Sequence, residues 1–353
     1  MRGSRPEGDD GGGMTYRDAG VDIDAQDEAL RRIKTVLRST RTPGVLADLG
    51  AFGGMFAPDL AGTPRPVLVA SCDGVGTKLR VAFATGVHDT VGRDLVNHCV
   101  NDVLVQGARP LFFLDYVATG KLDPAVLASV VEGIARGCRE NGCALLGGET
   151  AEMPGFYAPG EYDVAGFIVG LVDRGRVLDG SRVGEGDVLI GLPSAGLHTN
   201  GYSLARRILF DRLGLRPNDR VEELGGTVAE ILLAEHRSYL RPLELPLDRG
   251  EIHALAHVTG GGLTDNLPRV LPAGTAARIE RGSWETPPLF RLLAREGKVD
   301  DAEMFRTFNM GIGMVAVAAG DRATELEGHL DAVGERHFRI GRIVRGDGKV
   351  HYA

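Results

Sequence analysis

Apolar and polar positions along this chain switch repeatedly between a helical period and a strand period, and the switching divides the sequence into two halves. From Asp24 to about Arg38, Ile33, Val36 and Leu37 recur on one side of a helical wheel with arginines opposite. That pattern predicts an amphipathic helix capped by Asp24 or Asp22. The apolar run Val67–Cys72 reads as a strand that ends in Asp73-Gly-Val-Gly-Thr-Lys78. A helix over about 90–107, a strand Leu111–Val117, a helix over 123–140, a strand Cys143–Gly148 and a strand Tyr162–Val172 complete the first half. The charged, turn-rich stretch Asp173–Asp187 marks a boundary. The second half restarts with a strand Asp187–Leu192, followed by helices over 201–212, 227–237, 247–255 and 263–270. A strand over 276–281, helices over 287–296 and 320–332, and strands over 312–318 and 337–345 follow. Strands and helices alternate throughout, so the expected class is α/β (α+β).

The expected organisation is a disordered polar extension over 1–15, an N-terminal domain over 16–175 and a C-terminal domain over 186–353. A length of 353 residues suits two domains of roughly 150 residues each. A net charge of −8 argues against a non-specific nucleic-acid or anionic-membrane partner. No apolar run approaches the roughly 20 residues of a membrane span, and the start of the chain lacks a signal peptide's apolar stretch. A cytoplasmic protein is therefore expected. Cys72, Cys99, Cys138 and Cys143 form no C-x-x-C pair and are expected as buried, reduced thiols. The lysines are only Lys34, Lys78, Lys121, Lys298 and Lys349, whereas glycines number 51 and cluster in loops. Such loops suit close approach of backbone N–H groups to a ligand.

Five segments carry candidate chemistry. In Asp73-Gly-Val-Gly-Thr-Lys78, Gly74 and Gly76 let the backbone approach a polyphosphate, Lys78 can neutralise it and Asp73 can hold a divalent cation. The segment matches neither the Walker nor the Rossmann fingerprint, and the plain alternative is a turn with a surface lysine. On the helix over 90–107, Asp94, Asn97, His98, Asn101 and Asp102 share one arc. A solvated face would carry longer charged side chains, and short ones suit a ligand site because fixing them costs little entropy. Gly147-Gly-Glu-Thr-Ala-Glu-Met-Pro154 places Gly148, Glu149 and Thr150 after a strand, where α/β sheets bind ligands. Pro193–Tyr202 and His257–Asn266 bring hydroxyls and glycines to helix starts, which suits a phosphate monoester. His88, His236, His253, His329, His337 and His351 lack polar company in the sequence and read as structural, and Trp284 as packing.

Taken together, these segments resemble the phosphoribosylformylglycinamidine cyclo-ligase (aminoimidazole ribonucleotide synthetase) family from about Tyr16 to the C-terminus. The motifs that carry the resemblance include Asp73-Gly-Val-Gly-Thr-Lys-Leu79, Val100-Asn-Asp-Val-Leu-Val-Gln-Gly107 and Gly147-Gly-Glu-Thr-Ala-Glu-Met-Pro154. His198-Thr-Asn-Gly-Tyr-Ser203, Val258-Thr-Gly-Gly-Gly262 and Arg306-Thr-Phe-Asn309 extend it through the second half. The resemblance implies a C–N bond-forming ligase of purine biosynthesis that uses ATP, Mg²⁺ and a monovalent cation, K⁺. It implies a homodimer whose N-terminal sheets form a barrel across the interface, with a C-terminal α/β domain. Carried over, Lys34, Asp73, Gly74, Gly76, Thr77, Lys78, Asn101, Asp102, Gly148, Glu149 and Thr150 would bind the nucleotide. Asp73, Asp102 and Glu149 would hold Mg²⁺. Ser194, His198, Asn200, Thr259, Gly260 and Gly261 would face formylglycinamidine ribonucleotide, and His198, His257 and Lys78 would act in catalysis.

Two positions depart from the family pattern. Ala195 stands where a second serine is usual before His198, and Gln26 stands in place of the usual glycine after Asp24-Ala25. Related ATP-dependent enzymes stay open as alternatives: formylglycinamidine ribonucleotide synthetase, selenophosphate synthetase or thiamine-monophosphate kinase types. So does an inactive nucleotide-binding protein.

Overall fold

The computed structural model describes residues 14, 16, 19–21, 23–46 and 52–353. The expected disordered extension, apart from Met14, and the Asp22 cap lie outside these residues, and so does the side chain of Gln26.

The first half comprises helix α1 (Ile23–Arg38), strand β1 (Pro66–Gly74), helices α2 (Leu79–Thr85) and α3 (Asp89–Leu104), and strand β2 (Arg109–Thr119). Helix α4 (Pro124–Glu140) and strands β3 (Ala144–Glu152) and β4 (Tyr162–Asp173) follow. The α4 start shows the local logic: Asp123 accepts from the N–H groups of Ala125 and Val126, and Pro124 opens the helix. The strands form one sheet in the order β1-β4-β2-β3, with only β2 and β3 parallel. Burial alternates along β1 and β4, so one sheet face packs on α3 while the other faces outward. Helices α3 and α4 cross so closely that a Cβ at Gly92 would lie 2.1 Å from the Val130 carbonyl oxygen, and one at Gly133 1.9 Å from that of Asp89.

The outward face is apolar. Across the β1/β4 register it carries Leu68 opposite Leu171, Ala70 opposite Val169 and Cys72 opposite Phe167. Leu68 is 66% exposed and Phe167 42%. Phe112, Leu114 and Tyr116 of β2 continue this face, whereas Phe113 points into the core and is fully buried. Phe113 therefore contributes nothing to this outward surface. Cys72 is exposed, unlike the other three cysteines, because it lies on this face.

The second half holds β5 (Val188–Pro193), α5 (Tyr202–Arg206), short strands β6 (Arg220–Val221) and β7 (Gly226–Thr227), α6 (Val228–Leu232) and α7 (Leu240–Asp248). Then come β8 (Ile252–His257), α8 (Gly262–Asn266), β9 (Thr275–Ile279), α9 (Pro288–Gly297), α10 (Asp301–Thr307), β10 (Ile312–Ala318), α11 (Ala323–Ala332), β11 (Phe338–Arg345) and β12 (Val350–Tyr352). The large sheet runs β12-β9-β11-β5-β10-β8, and β10 is buried at every position. One apolar core joins the halves, running from α3 and α4 through Tyr239, Leu240 and Leu243 to Ile190, Leu255 and Met314.

Three expectations need correction. The segment over 247–255 is the end of α7 followed by β8, not a helix. The helix over 227–237 stops at Leu232, which leaves Leu233–Tyr239 as a loop. Strand β3 continues to Glu152, so Gly148, Glu149 and Thr150 lie within an edge strand and not in a loop beyond it. Helix α10 and strand β12 had no expected counterpart, and α5 continues as a π-helix over Arg207–Arg212.

Candidate active site at the domain junction

The polar arc of α3 is the part of the sequence that most shapes the site, and it is buried against the second half. Asp94 Oδ1 accepts from the His236 backbone N–H at 2.6 Å, and Asn97 Nδ2 donates to the His236 carbonyl oxygen at 2.7 Å. Asn101 Nδ2 donates to the Arg237 carbonyl oxygen at 2.8 Å, and its Oδ1 accepts from the Tyr239 N–H at 3.0 Å. Lys78 pairs with Asp94 at 2.6 Å and donates to the Ala234 carbonyl oxygen at 2.8 Å. Glu235 takes ion pairs from Arg93 and Arg136. The loop 233–239 has no regular structure to satisfy its backbone, and the short side chains of α3 satisfy it instead.

One turn further along α3 lies a closed ring of contacts. Asp73 Oδ2, at the end of β1, meets His98 Nε2 at 2.6 Å. His98 Nδ1 meets Thr199 Oγ1 at 2.8 Å, and Thr199 Oγ1 lies 3.4 Å from His236 Nδ1. His236 Nε2 is 3.1 Å from His257 Nε2, and His257 Nδ1 is 2.9 Å from Asp102 Oδ1. Ser71 Oγ donates to Asp102 Oδ2 at 2.9 Å. The imidazoles are buried, whereas the Asp73 and Asp102 side chains are 44% and 25% exposed. Two carboxylates thus form the solvent-facing rim of a histidine cluster shared by both halves.

The charges follow from this placement. Burial pushes the Asp73 and Asp102 carboxyls up, but hydrogen bonds and charge from His98 and His257 outweigh it and hold both below their usual value. Burial pulls His98 down, yet Asp73, Asp102 and Asp94 overcome it and raise its pKa. Burial and neighbouring cations keep His236 and His198 well below the usual histidine value. Burial also leaves His257 lowered, although Asp102 resists it. The rim is anionic, and one imidazole behind it favours its proton.

His198 stacks on His236 with ring centroids 3.9 Å apart, and its Nε2 accepts from the Ala195 N–H at 3.2 Å. It holds a positive φ of 60°, an uncommon backbone state for a side chain of this size. Gly313 on β10 makes the space: a Cβ there would lie 2.1 Å from Tyr239 Oη and 2.5 Å from His198 Cε1. His198 is buried behind the rim.

The expected site residues divide accordingly. Asp73, Asp102 and His257 meet at the ring, with Gly74, Gly76 and Thr77 on the adjoining turn; Gly76 and Thr77 are exposed. Thr77 Oγ1 lies 3.0 Å from Ser203 Oγ of the second half. Lys78 and Asn101 are fully buried; Lys78 is engaged by Asp94 and Ala234, and Asn101 by Arg237 and Tyr239. Glu149 sits opposite Tyr116 on β3, three strands from β1 and about 14 Å from Asp73 at the usual strand spacing. Within one chain it does not join the Asp73–Asp102 pair, and Gly148 and Thr150 lie with it. Lys34 is exposed on α1. Ser194 Oγ donates to Asn309 Oδ1 at 2.9 Å, and Thr259 Oγ1 donates to Asn266 Oδ1 at 3.3 Å. Asn200 is half-buried beside Gly260, where a Cβ would lie 3.2 Å from its Oδ1, and Gly261 opens α8 at φ 97°. The residue that sequence reasoning missed is His236, the one ring that touches His98, His198, His257 and Asn101.

This architecture is that of the AIR synthase related proteins: their N-terminal domain matches residues 59–172 and their C-terminal domain residues 184–353. Among solved structures, a thiamine-monophosphate kinase from Stenotrophomonas maltophilia K279a has the same fold, with a TM-score of 0.66 and 21% identity. It covers 92% of this chain and 95% of its own. A hydrogenase maturation protein HypE solved with ATP gives a TM-score of 0.63 at 21% identity, over 91% of this chain and 90% of its own. Full-length relatives are far closer in sequence. A phosphoribosylformylglycinamidine cyclo-ligase of Sorangium cellulosum is 57% identical over 94% of this chain and 95% of its own length. One of Xanthomonas campestris is 56% identical over 95% and 98%. The chain belongs to the phosphoribosylformylglycinamidine cyclo-ligase family.

Proposed function

We propose that this chain closes the imidazole ring of formylglycinamidine ribonucleotide, using ATP and releasing 5-aminoimidazole ribonucleotide, ADP and phosphate. The observation that carries the reading is the meeting of Asp73 and Asp102, from separate elements, on the open rim of the domain junction in a chain of this family. ATP use accords with the family and with the ATP complex of the fold neighbour HypE.

The rim suits Mg²⁺. Its donors are hard carboxylate oxygens, and Mg²⁺ is usually held by one or two carboxylates together with substrate phosphates. Asp73 and Asp102 are the residues assigned to it, and when bound it would neutralise charge on the transferring phosphoryl group. The chain's own residues set the stage: His98 and His257 orient the two carboxylates, and the Gly74–Thr77 turn offers backbone and hydroxyl donors beside them. His257 is a positioning residue here, because it reaches the rim only through Asp102. Ser194, Asn200, Thr259, Gly260 and Gly261 are assigned to the substrate side. The reading includes K⁺ through the family alone, and no residue is assigned to it.

The same reading makes the protein a cytoplasmic homodimer acting on a small molecule. No described helix is long and apolar enough to cross a membrane. The outward face of the β1-β4-β2-β3 sheet, with Leu68 and Phe167 exposed, supports pairing with a second copy. The decisive assay is ADP release with formylglycinamidine ribonucleotide present and absent. Turnover that depends on that substrate is expected; substrate-independent turnover, or none with both ligands, overturns the reading.

A further inference from the structure

Three imidazoles from three different elements meet at the junction of the halves. His98 comes from α3, His236 from the loop after α6 and His257 from the end of β8, and each offers a ring nitrogen within 4.8 Å of the others. The ring planes are inclined at 67°, 66° and 63°, so no pair among the three is stacked. His236 Nε2 and His257 Nε2 face each other at 3.1 Å. Two nitrogens bound to one tetrahedral ion at about 2.0–2.1 Å lie roughly 3.3 Å apart, so little movement is needed.

The opposite sides of the rings are anchored. Asp102 holds His257 Nδ1 at 2.9 Å, Asp73 holds His98 Nε2 at 2.6 Å, and Thr199 Oγ1 lies 3.4 Å from His236 Nδ1; Thr199 Oγ1 also sits 2.8 Å from His98 Nδ1, a contact that a bound cation would replace. A carboxylate behind a histidine fixes its tautomer and strengthens its free nitrogen as a ligand. Three nitrogens suit a borderline ion and not Mg²⁺, which selects oxygen.

We infer that His98, His236 and His257 form a binding site for one borderline divalent cation of the Zn²⁺ class, which ties the two halves together at the junction. The inference rests on the geometry of the three rings and not on the ring-closing reading, so each can fail alone. Because His98 belongs to the first half and the other two to the second, the bound cation resists separation of the halves. It thereby restrains Asp73 and Asp102 through their imidazoles.

The test uses the full chain, stripped with chelator and dialysed against Co²⁺. One Co²⁺ per chain with the strong visible absorption of a four-coordinate ion is expected, displaced by Zn²⁺ and untouched by millimolar Mg²⁺. His236→Asn is expected to weaken Co²⁺ binding at least tenfold. Since His236 also helps seat the loop 233–239, X-ray absorption on the wild-type zinc form supplies a variant-free readout, with scattering from three imidazoles expected. Absence of stoichiometric binding overturns the inference. So does thiolate-to-cobalt charge transfer, which would place the ion on a cysteine, and so does a zinc shell of oxygen alone. Any of these would leave the rings as a hydrogen-bonded core in which Asn101 and His257 together satisfy His236 Nε2.

Discussion

Lys78 and Asp94 form an ion pair at 2.6 Å with neither side chain open to solvent. The pair lies where the first half grips the loop 233–239, because Lys78 also donates to the Ala234 carbonyl oxygen. Removing one member of a buried pair leaves the other charged and desolvated, at a cost of about 3–5 kcal/mol. Lys78→Met is therefore expected to lose stability of that order in chemical denaturation. Burial already raises the Asp94 carboxyl against the pull of Lys78, so the variant's deficit should shrink as pH falls and Asp94 takes up a proton. A variant of unchanged stability that loses only its affinity for ATP would return Lys78 to the phosphate site.

Asp73 and Asp102 are expected to behave differently from Lys78, because their side chains are partly exposed. Asp73→Asn and Asp102→Asn should each lower kcat/KM by about 100-fold, the upper range for disturbed metal surroundings. The Mg²⁺ concentration for half-maximal rate should rise, while the melting temperature changes little. Near-normal rates with an unaltered Mg²⁺ dependence in both variants would remove the two carboxylates from the site.

Asp115 on β2 points into the core, where burial pushes its carboxyl up to about 7. The folded form therefore keeps a proton that the unfolded chain, near the ordinary carboxylate value, gives up from about pH 4. Between about pH 4 and 7 the folded state binds more protons, so this group's contribution to stability falls as pH rises and is constant above that window. Asp115→Asn should flatten that fall. Unfolding free energies of the two proteins at pH 5 and pH 8 give the comparison, and an equal pH dependence in both would show that Asp115 is not the source.

Phe167 projects from the outward face of β4 opposite Cys72, amid apolar neighbours. If a second copy covers this face, Phe167→Asp places a carboxylate in the interface and should convert a dimer to a monomer in light scattering at micromolar concentration. Phe113→Asp is no substitute as a probe, because Phe113 is buried in the core and its loss would unfold the domain. A wild-type chain that is already monomeric would count against the pairing.

These residues also show where sequence reasoning reached and where it stopped. Asp73 and Asp102 declare themselves as candidates locally, one at the end of an apolar strand and the other on a helical wheel of short polar side chains. The same wheel carried Asp94, Asn97 and Asn101, but local pattern cannot say whether a polar arc meets a ligand or a loop. Their partners in the loop 233–239 are 135 or more residues away in sequence. His236 was missed for the same reason, since every contact that gives it meaning crosses between elements. The segment Ile252–His257 failed differently. Its alanines and leucine favour a helix, and only its place beside the fully buried β10 makes it a strand.

Closing the imidazole ring from a formamide expels the formyl oxygen, and an amide oxygen is a very poor leaving group. Direct attack by the amidine nitrogen would stall at the tetrahedral stage. Transfer of the γ-phosphoryl group of ATP to that oxygen gives an O-phosphoryl imidate and ADP. The nitrogen then attacks the imidate carbon, the C–O bond breaks, and inorganic phosphate leaves with the oxygen. This explains why a net loss of water consumes ATP. It also fits a junction where the Gly74–Thr77 turn, beside the carboxylate rim of one half, meets Ser203 of the other, so that donor and acceptor can be held in line. Formyl-¹⁸O substrate should therefore deliver its label to phosphate, read by mass spectrometry after full turnover. Unlabelled phosphate, with the label found in water, would overturn this route even if ring closure itself were confirmed.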